Sequence, residues 1–557
     1  MNLKKQLASS IVISGKTSEE IEKLLTSAPS LEMGDFALPC FAFAKEQKKS
    51  PMVIAKEIQD NLAQNDLISK TEIAGGYLNF FLNRKSIAKT LFEEFKNQDF
   101  FHATREEQKT VCIEYSSPNL AKFMHIGHYN CTIFGESIAK MYEFFGNKVI
   151  RINYVGDYGT PFGKMVVAYK KWGKKEEVET RGIDAIQELY IKFNQFENEE
   201  LMNEARAVSK NIEDKIGTDY EIYKWFIEIS IQKVKQIMKT LEIEFDDWNG
   251  ESTYNDRLKD IVKQLLDASL AKESEGAIIM DLSDVGMGVS VIERSDGGSL
   301  YITRDLVAIA DRYQKYHFDK HIYVTASQQD LHFDKIIEIC KRMGRDFYTK
   351  LKHVSYGMFS TPEGKIASRK GKQALLEDIL LEAKNKAENI IENRTFKIEN
   401  REKVALEIAK GAMAFSIFKV EAIKDKVFDL QTAISFEGDT SPYLQYTYAR
   451  CASLIRKATY QTKEHLDYSV FENQYAYSMI MLANNFKQTI YESYSNHEPS
   501  FIARALLDLA KYFNSYYAES SILQNENEEE KLMLVSLVKD CLKTGLNLLC
   551  INVLEEM

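Results

Sequence analysis

Residues 110–128 read TVCIEYSSPNLAKFMHIGH, and the reading of this stretch decides the fold. Thr110 to Ser117 is an extended, mostly apolar run, and Pro118-Asn119 after it is turn chemistry. From about Gly127 the period changes. Phe134, Ile138, Met141 and Phe145 are spaced 4, 3 and 4 apart, one face of a helix, and Gly146 is a natural stop. Residues 149–155 predict a second strand. Strand, helix and strand in such a short span form a βαβ unit and hence a parallel sheet. Further strands are predicted at residues 277–281 and 321–325.

Working outward, residues 1–107 predict a small α/β unit. Helical spacing covers 19–25 and 53–62, and GGYLNFFL at 75–82 reads as a strand with a glycine entry. Residues 170–240 are strongly charged and helical, and are expected to form a surface insertion in the crossover connection. From residue 396 to 557 the periodicity is helical with almost no strand signal. The expected architecture is a Rossmann-like parallel-sheet α/β domain at 108–395, preceded by the small domain and followed by an α-helical bundle.

A chain of 557 residues exceeds what one core supports, and 45% hydrophobic with 28% charged residues is globular composition. No secretory signal is visible in MNLKKQLASS, and no apolar run approaches the ~20 residues needed to cross a bilayer. The seven cysteines are scattered, without a CxxC pair, which points to free thiols in a reducing cytoplasm and away from structural zinc. The net charge of −10 weighs against a nucleic-acid partner, because phosphate contacts need local positive potential. Lysine-rich faces on an acidic protein leave that possibility open.

The chemistry centres on His125-Ile126-Gly127-His128, between the first strand and the first helix, where open α/β sheets bind ligands. A helix N-terminus there offers N–H groups to phosphate, the histidines add donors, and Gly127 permits close approach of a nucleotide. A chance match or a metal-binding pair is the alternative reading.

The segment EYSSPNLAKFMHIGH, Glu114 to His128, resembles the signature of arginyl-tRNA synthetases, in which an S-S-P-N-x-A-K stretch precedes the HIGH element of class I synthetases. VGDYGTPFG (155–163), YITRD (301–305), ASQQDLH (326–332) and SFEGDTSPYLQY (435–446) resemble further family segments in family order. The resemblance implies a tRNA-contacting N-terminal domain, a class I catalytic domain and a helical anticodon-binding domain. It also implies ATP with Mg²⁺ as the substrate complex, no tightly bound cofactor, arginine and tRNA(Arg) as partners, a monomer, and activation that depends on bound tRNA.

Such an enzyme needs no covalent nucleophile; it positions reactants and neutralises charge growing on phosphate. His125, His128 and Lys122 are expected to serve the phosphates. A second cationic loop, GKIASRKGK at 364–372, supplies Lys365, Arg369 and Lys370. It departs from the usual KMSKS pattern at Ile366, Ala367 and Ser368, and the resemblance implies that Lys122 compensates. A guanidinium calls for buried carboxylates. Asp305, on a helix expected to start near Thr303, is assigned to it, with Tyr301 one turn earlier. The family motifs imply that Glu114, Ser116, Asn119 and Gln329 complete the arginine site. In the C-terminal block, Tyr443, Tyr446 and Arg450 on one helix face are candidate tRNA contacts, as is the terminal Met557 by resemblance. Phe123 stands where proline is common, Cys550 where glycine is usual, and Val553-Leu554 replace the usual Ala-Pro. A small-molecule nucleotidylyltransferase, a non-catalytic paralogue and a synthetase for another amino acid remain open.

Overall fold

The computed structural model describes residues 1–62, 65–96, 100–101, 107–295, 297–298, 300–360, 362, 375–392, 400–459 and 462–557. Strands Thr110–Glu114, Lys148–Ile152, Lys320–Ala326 and Leu351–Tyr356 form a parallel sheet. The third strand lies beside the first, on the side away from the second, and the fourth lies beyond it. The chain thus builds outward in one direction from Thr110–Glu114 and then in the other. That reversal opens a crevice at the carboxyl ends of the first and third strands.

Both faces of the sheet are covered, which explains the unbroken apolar run of the first strand. Val111 and Ile113 pack in one core with helix Ile126–Phe144. Cys112 faces a second core shared with helices Tyr301–Tyr316 and Asp330–Arg342. Glu114 has the parity of Cys112 and points to that second side, where its partner lies.

Strand Ala277–Asp281 exists but does not join the parallel sheet. It forms an antiparallel meander with Lys272–Ser274 and Val289–Glu293. Only Glu275 and Gly276 separate the first two of these strands, and so short a link joins antiparallel neighbours, whereas parallel ones need a long crossover. The insertion is helical, with Lys175–Arg181, Ile183–Gln195, Glu199–Glu213 and Gly217–Thr240, but it is no mere surface appendage. Val178, Ile186, Phe193, Ala205 and Phe226 are buried. Gln187 Nε2 donates to the Ala121 carbonyl (2.5 Å) and the Tyr223 hydroxyl to that of Asp157 (2.8 Å), bracing two loops that flank the crevice.

The N-terminal sheet is antiparallel, in the order Thr26–Ser27, Phe36–Pro39, Tyr77–Leu82, Ile68–Ala74. Gly75 and Gly76, both at positive φ, make the hairpin turn ahead of the predicted strand. At the other end, helices Ser441–Arg456, Gln474–Asn496, Ser500–Glu519 and Glu528–Leu548 form the bundle. Its last helix is tied to helix Ile126–Phe144, where the Ser137 hydroxyl donates to the Leu548 carbonyl at 2.7 Å.

Candidate active site

The crevice holds a cavity of about 600 Å³. Of the residues singled out in the sequence, Glu114, Ser116, Asn119, His125, Gly127, His128, Tyr301, Asp305 and Gln329 all line it. Lys122 is exposed and is not part of the lining. Lys365, Arg369 and Lys370 lie outside the described residues.

One end of the cavity is built locally. His125 is the N-cap of helix Ile126–Phe144, and its Nδ1 accepts the Gly127 N–H at 3.1 Å. His128 Nδ1 accepts the His125 N–H, also at 3.1 Å, closing a reciprocal capping box. Because both Nδ1 atoms accept, the protons sit on Nε2 when the rings are neutral. Burial holds both imidazoles below the usual range, His128 at about 3, and the Lys122 charge pushes in the same direction. The pair therefore presents two neutral N–H donors at a helix N-terminus, an arrangement suited to phosphate oxygens. Gly127 has a second role beyond nucleotide approach, since a Cβ there would come within 2.9 Å of His125 Cε1.

Between strand and helix the backbone is strained. Ser116 and Ser117 adopt φ of 70° and 44°. The Ser117 N–H donates to Asn153 Oδ1 (3.1 Å) and the Thr132 hydroxyl to Ser116 Oγ (2.9 Å), which holds this turn against relaxation. Asn119 Oδ1 accepts the Ala121 N–H at 2.9 Å, and Asn119 bridges to Gly156 of the next loop.

The other end is acidic and assembled from distant segments. Glu114 is 6% exposed and already ion-paired with Arg312, which is itself buried against the Tyr154 ring at 4.7 Å. Burial raises the Glu114 carboxyl and Arg312 opposes the rise. Asp305 Oδ2 lies 2.6 Å from His332 Nε2. Its helix spans Tyr301–Tyr316, starting two residues ahead of the expected Thr303, and the Thr303 hydroxyl donates to the Ile292 carbonyl. The i, i+4 relation of Tyr301 and Asp305 stands.

Sequence reading missed three residues here. Glu251 lines the cavity, and burial pushes its carboxyl up to about 8; Asp305, Asp157 and Glu114 add to the push and Arg304 opposes it. It is placed by its own N–H, which donates to the Val155 carbonyl (3.1 Å), and by Asp157, which accepts from the Ser252 N–H (2.8 Å) and hydroxyl (2.6 Å). Nothing local in N-G-E-S-T marks it, since its neighbours in space lie about a hundred positions away. Arg312 carried one signal, its place two helical turns after Asp305. His332 stood at the end of the ASQQDLH match.

The comparisons with known proteins bear on this geometry. Residues 89–430 match the family model described as tRNA synthetases class I (R), catalytic domain. The chain belongs to the arginyl-tRNA synthetase family. Residues 1–82 match the arginyl tRNA synthetase N terminal domain, and 444–557 the DALR anticodon binding domain. An arginine–tRNA ligase of Halothermothrix orenii is 41% identical over 545 residues, covering 97% of this chain and 96% of the relative. One from Clostridioides difficile is 38% identical, covering 97% of each. Among solved structures, Thermus thermophilus arginyl-tRNA synthetase superimposes with a TM-score of 0.77 at 25% identity, covering 96% of both chains. The fold is that of a class I aminoacyl-tRNA synthetase.

In the C-terminal domain the structure gathers Tyr443, Tyr446 and Arg450 on helix Ser441–Arg456, all half-buried. The Arg450 guanidinium lies over the rings of Tyr446 (4.8 Å) and Tyr517 (4.7 Å) and donates to Asn514. Tyr443 accepts from Asn514 at 3.0 Å. Met557 and Phe436 both pack against the small core that holds Ile434 and Leu554, and the Phe436 ring is 6.4 Å from that of Tyr446.

Proposed function

We propose that this chain is an arginine–tRNA ligase that activates arginine with ATP and transfers it to the 2′-hydroxyl of the terminal adenosine of tRNA(Arg). The observation that carries the reading is the two-ended cavity, which joins neutral N–H donors at a helix N-terminus to a pocket of carboxylates. The histidine end suits the phosphates of ATP, delivered with Mg²⁺. The acidic end suits a guanidinium, which is always charged and presents a planar fork of donors.

Asp305 and Glu251 hold the guanidinium from two directions, and Tyr301 closes over it. Glu114, fixed by Arg312, orders the floor of the site with Ser116, Asn119 and Gln329 near the α-amino group. The substrate carboxylate then attacks the α-phosphorus. A carboxylate oxygen–phosphorus bond forms, the bond to the pyrophosphate oxygen breaks, and the electron pair leaves with pyrophosphate. His125 and His128 donate to phosphate oxygens as charge builds there, a contribution worth about 3–4 kcal/mol per donor where such groups have been removed. Lys122, Lys365, Arg369 and Lys370 are our proposed cationic partners on the phosphates. In transfer, the ribose hydroxyl attacks the acyl carbon and loses its proton, an ester bond forms, and the bond to the phosphate oxygen breaks with its electron pair leaving on AMP.

We place the tRNA-contacting domain at 1–107, the catalytic domain at 108–395 and the anticodon-binding domain at 396–557. Tyr443, Tyr446, Arg450 and Met557 face the RNA. In the N-terminal domain the exposed Phe41 and Tyr77, edge to face at 5.2 Å, offer a surface on which an unpaired base can stack. The enzyme acts as a monomer in the cytoplasm. ATP–pyrophosphate exchange with each of the twenty amino acids, with and without total tRNA, tests the reading. Exchange with arginine alone, appearing on addition of tRNA, is expected; exchange with another amino acid, or none, overturns it.

A further inference from the structure

Among the hydrogen bonds lining the cavity, the one between His332 and Asp305 is used directly by neither end of the proposed reaction. His332, at the start of helix Asp330–Arg342, sets Nε2 2.6 Å from Oδ2 of Asp305, and both side chains line the cavity. The ring is itself held, edge to face against Phe333 at 5.1 Å. Its partner helix fixes the carboxylate from the other side, through the packing of Leu306 and Ile309 in the core behind the sheet. The bond length lies at the short end for a ring N–H meeting a carboxylate.

We infer that His332 is a specificity-positioning residue, which takes one oxygen of Asp305 and so turns the other toward the guanidinium. The inference rests on the assignment of Asp305 in the proposed function. A carboxylate on a short side chain has a soft terminal torsion, with two broad orientations available. A guanidinium fork is bound well only when the acceptor oxygen lies in its plane. His332 removes that freedom before the substrate arrives. Its own contact is with Asp305, so it selects arginine without touching it. Glu114 and Glu251 share the pocket, and His332 fixes which oxygen of Asp305 faces the substrate beside them.

The test uses the full-length enzyme with total tRNA and compares His332→Ala, His332→Gln and Asp305→Asn. A Gln amide can place a neutral donor near the position of Nε2. His332→Ala is expected to raise the KM for arginine about tenfold to a hundredfold, the scale of one lost charge-assisted hydrogen bond, and to leave the KM for ATP within about twofold. His332→Gln is expected to recover most of that loss. Equal loss in both His332 variants, or a KM for ATP that rises with that for arginine, would overturn the inference and mark His332 as structural. Unchanged kinetics in His332→Ala beside a disabled Asp305→Asn would overturn it while leaving the assignment of Asp305 standing. Retained arginine preference in Asp305→Asn would overturn both.

Discussion

The two ends of the cavity are made in opposite ways. At the histidine end, His125, Gly127 and His128 lie within four positions of one another and cap each other through the first turn of one helix. At the acidic end, Glu114, Glu251, Asp305 and His332 come from four segments, and the strand carrying Glu114 is some 200 positions from its partner Arg312. A local device is specified by local sequence and survives with any fold that supplies a strand before a helix. A device assembled from distant segments exists only once the sheet has reversed and both cores have closed. The first kind suits what every member of a broad class must do, which is bind nucleotide. The second suits what distinguishes one substrate from another.

The sharpest way to break this comparison is Asp305→Asn. The change keeps shape and removes charge, turning one of the two acceptor oxygens offered to an obligate cation into a donor. We expect kcat/KM for arginine to fall by about a thousandfold or more, with the KM for ATP moved by no more than about threefold, in steady-state exchange kinetics. If the KM for ATP rises as kcat/KM for arginine falls, the two ends are not separate devices.

Gly127→Ala probes the other end and is expected to do less. The new Cβ would press on the His125 ring at 2.9 Å, and the flexible end of that side chain can shift. The shift breaks the Gly127 N–H bond to Nδ1 and turns the Nε2 donor away. A loss of about a hundredfold in kcat is expected, the scale of one misplaced transition-state donor, with the KM for arginine nearly constant. Thermal melting should change little, since the helix preference of alanine offsets the lost cap bond.

These contrasts follow what was legible in the sequence. The βαβ unit, the helix after His125 and the helical C-terminal block were readable, because period and punctuation are local properties. So were nine cavity residues, which fall in quoted segments between the end of a strand and the first turns of a helix, with Glu114, Ser116, Asn119 and Gln329 supplied by the family resemblance. The placement of Ala277–Asp281 was not, since an apolar run states that a strand exists and not which sheet takes it. Buried faces within the charged insertion were masked by its lysines and glutamates, which cover only one side of each helix. Glu251 was invisible for a stronger reason: its role depends on Asp157 and Val155 holding a distant turn against the crevice, and no pattern in its own neighbourhood records that.

The smallest effect concerns pH, and it tests whether the acidic end is charged before or after the substrate arrives. In the empty site burial and the neighbouring acids hold the Glu251 carboxyl at about 8, so it is largely protonated at neutral pH. A bound guanidinium favours the ionised form, so binding must expel that proton. The sign follows. As pH rises from about 6.5 toward 8, less work is needed to ionise Glu251, and the KM for arginine should fall by up to about tenfold per unit before levelling above 8. Glu251→Gln cannot ionise; its KM should be higher at pH 8 and flat across the same range. Calorimetry of arginine binding in buffers of different ionisation enthalpy gives an independent measure, with close to one proton released at pH 7 by the native chain and none by Glu251→Gln. A flat native profile would mean that Glu251 is already ionised in the empty cavity. Asp305 and Glu251 would then stand as two charges awaiting one cation, and the acidic end would be held together by Arg304 and Arg312 more strongly than its burial indicates.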